Sequence, residues 1–370
     1  MGDLMKLYSR RQFGQQGIGL VGLASSLTLP LFSCKPRPAV SEIVQASPSG
    51  TSRISGKVRI RQDAASDSPL ARKHMALFAK GIKLLKQRPP SHPASFDFQG
   101  RLHGTNCRHG NYLFLPWHRA YISYFEDIIR QALTEDGDDG ENFALPYWDW
   151  DNREGKIPPD FLDPSSPLYD ATRKAESVRV FTTGATATSS IVASPVFEVG
   201  TGGPNTGCPL ELGNHGLVHV TVGGNISRFT TAGLDPLFWC HHCNCDRIWA
   251  SWMNYHQELL SDPGPDREVW RTSTFDGLYD RNGKAVSGTA VIDTLTSANF
   301  GFDYDSLVQV TPRSNPLGPA SVDQIHSSLK IKGVASQNRS GGTEVLFRPT
   351  SEFLKGFDLI PDNGSALPPR

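Results

Sequence analysis

The chain lacks net charge: 37 basic residues face 37 acidic ones over 370 positions. With no excess of either sign, nothing favours an electrostatic grip on nucleic acid or on an anionic membrane. It also lacks an internal repeat. The apolar stretch near its start, Gly17 to Phe32, falls short of the ~20 residues that a membrane helix needs. Cysteine is scarce, six in all, and does not form the two-pair spacing of a structural zinc site. What is abundant is tryptophan (7), glycine (35) and proline (27), the composition of a compact fold with many long, ordered loops. The length suits one large domain or two smaller ones and suffices for a substantial core.

Residues 1–34 read as an address rather than as structure. Ser9-Arg-Arg-Gln-Phe13 fits the twin-arginine export pattern, with the Gly- and Ser-rich apolar stretch behind it. Leu31-Phe-Ser-Cys34 loosely resembles a bacterial lipoprotein box, in which Phe32 fits poorly; lipid attachment at Cys34 stands as the alternative to a plain signal peptide. Residues 35–55 are a Pro/Ser/Ala-rich linker. The functional domain is expected over 56–310. Residues 311–370 read as a second linker and a small β appendage, from the runs Ser328-Leu-Lys-Ile-Lys332 and Glu344-Val-Leu-Phe347.

Val58 to Arg61 is a candidate short strand, and Leu70 to Gln87 an amphipathic helix through Met75, Phe78, Ile82 and Leu85. His74, beside Arg72 and Lys73, is expected at the surface, and His92 in its Ser-His-Pro loop is a bystander. Three histidines then crowd into Leu102 to Glu126: His103, His109 and His118. On one continuous helix His109 and His118 would face opposite ways. Pro116 resolves this by marking a fresh helix start, so that His109 arrives from a loop. Leu145-Pro-Tyr-Trp-Asp-Trp150 reads as packing, and 151–205 as loop around the core. His215 and His219 stand at i and i+4, on one helical face. Finally Asp235-Pro-Leu-Phe-Trp-Cys-His-His-Cys-Asn-Cys-Asp246 begins a helix capped by Asp235 that carries the adjacent His241 and His242 and is expected to run to Asp262. For His256 and His326 the sequence names no partner.

Two trios emerge: His103, His109 and His118; then His215, His219 and one of His241 or His242. Neither brings a carboxylate in ligand position. All-imidazole sites suit copper, zinc or iron, and two such sites together suit a metal pair that handles dioxygen. Cys240, Cys243 and Cys245 lie too close together on one helix to turn toward one ion; some are candidates for disulfides, with Cys208 as a partner.

Phe114-Leu-Pro-Trp-His-Arg119 with Glu126, and Asp235-Pro-Leu-Phe-Trp with His242 and Asp246, resemble the two signature segments of the tyrosinase, catechol oxidase and hemocyanin family nearly position for position, with Ile122 a mild departure. The resemblance covers roughly 57–305. It implies a mainly α fold, an antiparallel four-helix bundle enclosing two copper ions. It assigns copper A to His103, His109 and His118, and copper B to His215, His219 and His242, choosing His242 over His241. The His103–His109 interval is shorter than in many members. Cys107 stands where some members join a cysteine to the second copper A histidine, which implies a Cys107–His109 thioether.

The same resemblance implies oxidation of o-diphenols to o-quinones with reduction of O₂ to water. Glu211 resembles the glutamate that holds an ordered water in plant enzymes; as a residue, it could equally cap the His215 helix. Gly216 occupies the place where monophenol-hydroxylating members often carry asparagine, and it has no side chain with which to orient a water. Diphenol oxidation is therefore favoured over monophenol hydroxylation. Phe229 resembles a gate ring above copper A. The alternatives are a tyrosinase that also hydroxylates monophenols, an o-aminophenol oxidase, and a hemocyanin-like O₂ carrier.

Overall fold

A computed structural model describes residues 57–310, apart from 153, 183–186 and 262–264. The export signal, Cys34, the 35–55 linker, the 311–370 appendage and His326 lie outside the described residues.

The described fold is mainly helical. Helix α1 (Pro69–Gln87) starts where the Ser68 hydroxyl accepts from the Ala71 N–H and proline occupies the first helical position. Its buried stripe is Ala71, His74, Met75, Phe78, Ile82 and Leu85. His74 is therefore not at the surface. Arg72 and Lys73 are its neighbours in sequence, but at 100° per residue they turn to other sides of the helix. The ring is buried edge-on to Phe143, and burial pushes its pKa down. Helix α2 (Phe96–Asn106) is capped by Ser95, which accepts from the Phe98 N–H. Helix α3 (Phe114–Glu135) begins two residues before Pro116 and is buried along most of its length.

The stretch read as loop contains two short helices, α4 (Thr188–Ala193) and α5 (Phe197–Thr201). A π turn, Glu211–His215, leads into α6 (Gly216–Val222). Helix α7 (Pro236–Tyr255) is capped by Asp235, whose carboxylate accepts from the Leu237 N–H. It is buried on nearly every side, as expected of a central helix. It ends at Tyr255, short of Asp262. The chain turns at His256 and resumes as α8 (Gln257–Ser261) and α9 (Pro265–Thr272). His256 does have partners: its Nε2–H donates to the Val192 carbonyl at 2.9 Å.

Helix α3 packs against both α1 and α7. At the domain's edge β1 (Arg59–Arg61) pairs in parallel with a distant strand, Phe302–Tyr304, joining the first and last described segments. Two further two-stranded pairs are antiparallel: Thr274–Phe275 with Thr289–Ala290, and Leu278–Tyr279 with Ala285–Val286. Among the described residues no helix is long and apolar enough to cross a membrane.

Candidate metal centre

The fold brings seven histidines from five helical elements and a loop into one buried cluster. His103 comes from α2, His109 from the loop behind it and His118 from α3. His215 closes the π turn, His219 sits on α6, and His241 and His242 lie on α7. The rings touch within and across the trios: His109 and His118 centroids are 5.0 Å apart, His109 and His215 5.8 Å, and His118 stacks on His242 at 4.3 Å. One nitrogen each from His103, His118 and His242 lies within 4.8 Å of the others, as does one each from His215, His219, His241 and His242. His242 thus stands between the two sets.

Four of these rings carry their proton on Nδ1. His103 Nδ1 lies 2.9 Å from the Phe229 carbonyl, His118 Nδ1 2.8 Å from that of Phe114, His215 Nδ1 3.0 Å from that of Glu211, and His219 Nδ1 2.5 Å from that of Ile226. A carbonyl only accepts, so each Nδ1 carries the proton and each Nε2 presents a lone pair. Those lone pairs face one another: His103 and His118 Nε2 are 3.4 Å apart, His215 and His219 Nε2 3.1 Å. Two acceptors so close repel unless a cation lies between them. Both ring nitrogens of His242 are buried without a hydrogen-bond partner, a costly state in a dry core. Burial holds the rings neutral, pushing His103 down to about 3 and His219 to about 4. Neutral imidazoles with their second nitrogen tied to a carbonyl are what a copper ion takes as ligands. The residues fit copper.

His241 differs from its neighbour. Its Nδ1 accepts from the Trp150 indole N–H at 3.2 Å, and its Nε2 lies 3.9 Å from the Cys245 sulfur. Trp150, read from sequence as packing, thus also orients a ring in the cluster. None of the five described cysteines is in a disulfide, so the disulfides considered for Cys208 and the α7 trio are not formed. The Cys107 sulfur lies within 4.8 Å of a nitrogen of both His103 and His109, and burial pushes its thiol up to about 12.

Glu211 does not cap a helix from outside; it begins the π turn, and its Oε1 accepts from the Gly110 N–H at 2.6 Å. Its other oxygen is buried without a hydrogen-bond partner. Burial raises its pKa to about 8, against the lowering pull of the Gly110 N–H. Gly207 makes room for it: a Cβ there would come within 2.4 Å of Glu211 Oε2. Gly216 opens α6, half-buried. The Phe229 ring lies parallel to His103 at 5.9 Å and edge-on to His109 at 4.8 Å. Sequence reading missed the carbonyls of Phe229 and Ile226, which carry no side-chain signal.

The common central domain of tyrosinase matches residues 85–198 and 166–255. The chain is 28% identical to the chloroplastic polyphenol oxidase A of Solanum lycopersicum, over 81% of this chain and 54% of that protein. It is 26% identical to a tyrosinase of Hahella sp. (strain CCB-MM4), over 62% of this chain and 60% of that one. The chain belongs to the tyrosinase/catechol oxidase family. Among solved structures, the polyphenol oxidase of Grenache (Vitis vinifera) superposes with a TM-score of 0.58 at 25% identity, over 72% of this chain and 94% of that one. Latent apple tyrosinase gives 0.56 at 26%, over 68% and 64%. This tyrosinase-family chain spans about half the length of the curated plant relatives it matches first. The family's centre is a copper pair, and the imidazole cluster of α2, α3, α6 and α7 is suited to hold it.

Proposed function

We propose that the chain is a copper-dependent phenol oxidase of catechol oxidase type. The observation that supports this most is the set of opposed Nε2 lone pairs, 3.1 and 3.4 Å apart, inside one buried cluster of imidazoles. In this reading His103, His109 and His118 hold copper A, and His215, His219 and His242 hold copper B, on the four helical elements of a bundle. Bound there, the copper pair supplies two-electron exchange between an o-diphenol and O₂. Two diphenols then give two o-quinones, and one O₂ becomes two waters. The chain's own part is to keep the imidazoles neutral and oriented, to exclude water, and to admit a flat ring. Phe229, against His103 and His109, is the gate on which that ring stacks. The Glu211 oxygen not bound to Gly110 is placed to hold a water.

Gly216 adds no polar group, which favours diphenol oxidation over monophenol hydroxylation. The closeness of the Cys107 sulfur to His109 supports a thioether between them. Ser9-Arg-Arg-Gln-Phe13 supports twin-arginine export, with lipid attachment at Cys34 as a variant. The test is oxygen uptake by the copper-loaded protein with 4-methylcatechol, then tyramine. Uptake with the diphenol alone is the expected result. Uptake with both, after a lag, would make it a tyrosinase; uptake with neither, at full copper, would leave a carrier or a specialised oxidase such as one for o-aminophenols.

A further inference from the structure

We infer that Asn214 is a positioning residue for the copper B histidines, an inference that rests on the dicopper reading above. Its side chain is fully buried. Its Oδ1 accepts from the Phe181 N–H at 2.7 Å, and its Nδ2 donates to the Phe181 carbonyl at 3.2 Å and toward the Thr188 hydroxyl at 3.5 Å. One side-chain amide thus pairs with both backbone groups of a residue 33 positions away, as a neighbouring strand would.

The place of this clamp gives it meaning. The turn Glu211–His215 is a π turn, and Gly213 within it has left helical conformation altogether (φ −96°, ψ −108°). Such turns are short, poorly self-supporting, and often found at functional sites. Asn214 stands between the distorted Gly213 and the ligand His215. The bond from His215 Nδ1 to the Glu211 carbonyl lies within the turn, so it moves with the turn and does not fix it to the rest of the domain. Other side chains of the turn do fix it. Glu211 ties its start to Gly110, and Asn214 ties its end to Phe181. Rotating the turn so that His215 swings away from His219 would break the paired bonds and leave the Phe181 N–H and C=O buried without this partner. The amide therefore holds the azimuth at which the two Nε2 atoms meet, 3.1 Å apart.

The test uses the full chain loaded with copper and then titrated with a competing chelator, wild type beside Asn214→Ala. The readouts are copper per chain and the electron paramagnetic resonance spectrum, since two coupled Cu(II) ions are silent and a lone one is visible. In wild type we expect two coppers per chain and no signal. In Asn214→Ala one of the two sites should weaken by ~10–100-fold, the range seen when a residue supporting a ligand is removed, with the signal of one isolated Cu(II) per chain. Two coppers held at wild-type affinity would overturn the proposal, as would parallel loss of both with no isolated signal. If the alanine variant does not fold, Asn214→Asp carries the same two outcomes. It is isosteric and keeps the acceptor for the Phe181 N–H while losing the donor. A wild-type chain that failed to take up two coppers would instead overturn the dicopper reading, and this proposal with it.

Discussion

Helix α3 carries both His118 and Glu126; helix α7 carries both His242 and Asp246. Each helix therefore serves two buried polar clusters, and the two differ in how they are satisfied. Around Glu126 and Asp246 the chain brings its own counter-charges. Arg59 and Arg61 reach Glu126 at 3.2 and 2.9 Å, and Arg61 and Arg119 reach Asp246 at 3.6 and 2.5 Å. The Leu145 N–H and the Tyr304 hydroxyl complete the carboxylates. Burial pushes the Glu126 pKa up, but Arg61, Arg59 and the Leu145 N–H outweigh it and hold the carboxyl below its ordinary range. The cluster also pins β1 to the last described strand, with the Arg61 guanidinium 3.5 Å over the Phe302 ring. Around His118 and His242 the chain sets other imidazoles and aromatic rings instead. One cluster carries its own counter-charges when the chain folds, with Arg61 Nη2, alone of that residue's guanidinium nitrogens, left without a hydrogen-bond partner. In the dicopper reading the other is completed by the metal, and the contrast then separates residues that hold the fold from residues that would hold a ligand.

The largest effect should come from breaking the self-satisfied cluster. Asp246→Ala takes the carboxylate from Arg119 in a dry core and leaves Arg61 with Glu126, which costs about 3–5 kcal/mol. Urea denaturation should show that loss with or without copper; a loss that copper restored would erase the distinction. Next comes copper itself. Added at about 1,000 times its dissociation constant it should stabilise the wild-type chain by about 4 kcal/mol, read as a rise in Tm of roughly 10 °C for a domain of this size. No rise would mean that the opposed imidazoles are not a site.

The third contrast lies within the imidazole cluster. His242→Ala should take copper from two per chain to one. It should also cut oxygen uptake with 4-methylcatechol by more than the ~100-fold that removal of a supporting residue causes. His241→Ala, which removes a ring already bonded to Trp150, should retain both coppers. Equal loss in the two variants would make His241 a ligand.

A smaller effect sharpens the comparison from outside both clusters. Burial raises the Asp151 pKa to about 7, against the lowering hydrogen bond from Thr188. The folded chain then keeps that proton between pH 3.8 and about 7 while the unfolded chain gives it up, so stability falls as pH rises through this window. Asp151→Asn removes that fall. Its gain over wild type should be small near pH 4, grow toward neutrality, and level off above about pH 7, as urea midpoints at successive pH values would show. A gain independent of pH would mean that the carboxyl does not titrate there.

Much of the site was legible because helical geometry is local. His215 and His219 are four apart, so their convergence follows from the pitch, and the Nε2 atoms do meet. Asp235-Pro236 announced the start of α7, because an aspartate before a proline is a cap with a mechanism. Other features were not legible, for physical reasons. His74 was misplaced because charge next to it in sequence says little about which side of a helix it occupies. The end of α7 was set by His256 reaching Val192, a contact between residues 64 apart. The two rings of His241 and His242 are alike as sequence, both set among apolar neighbours.

The residue types that could form the centre are legible in the order of amino acids alone: an inventory of imidazoles, their spacing, the caps that start their helices, and the signature segments that resemble the family. How each ring is held depends on contacts between distant segments. The acceptors that fix His103 and His219 are main-chain carbonyls at Phe229 and Ile226, groups that every residue carries and that no sequence pattern marks. The carboxylate of Glu211 found Gly110 across 101 residues, and Asn214 found Phe181 across 33. A helix repeats every few residues and can be read from its period; a meeting of distant segments has no period, and is settled only when the core closes around it.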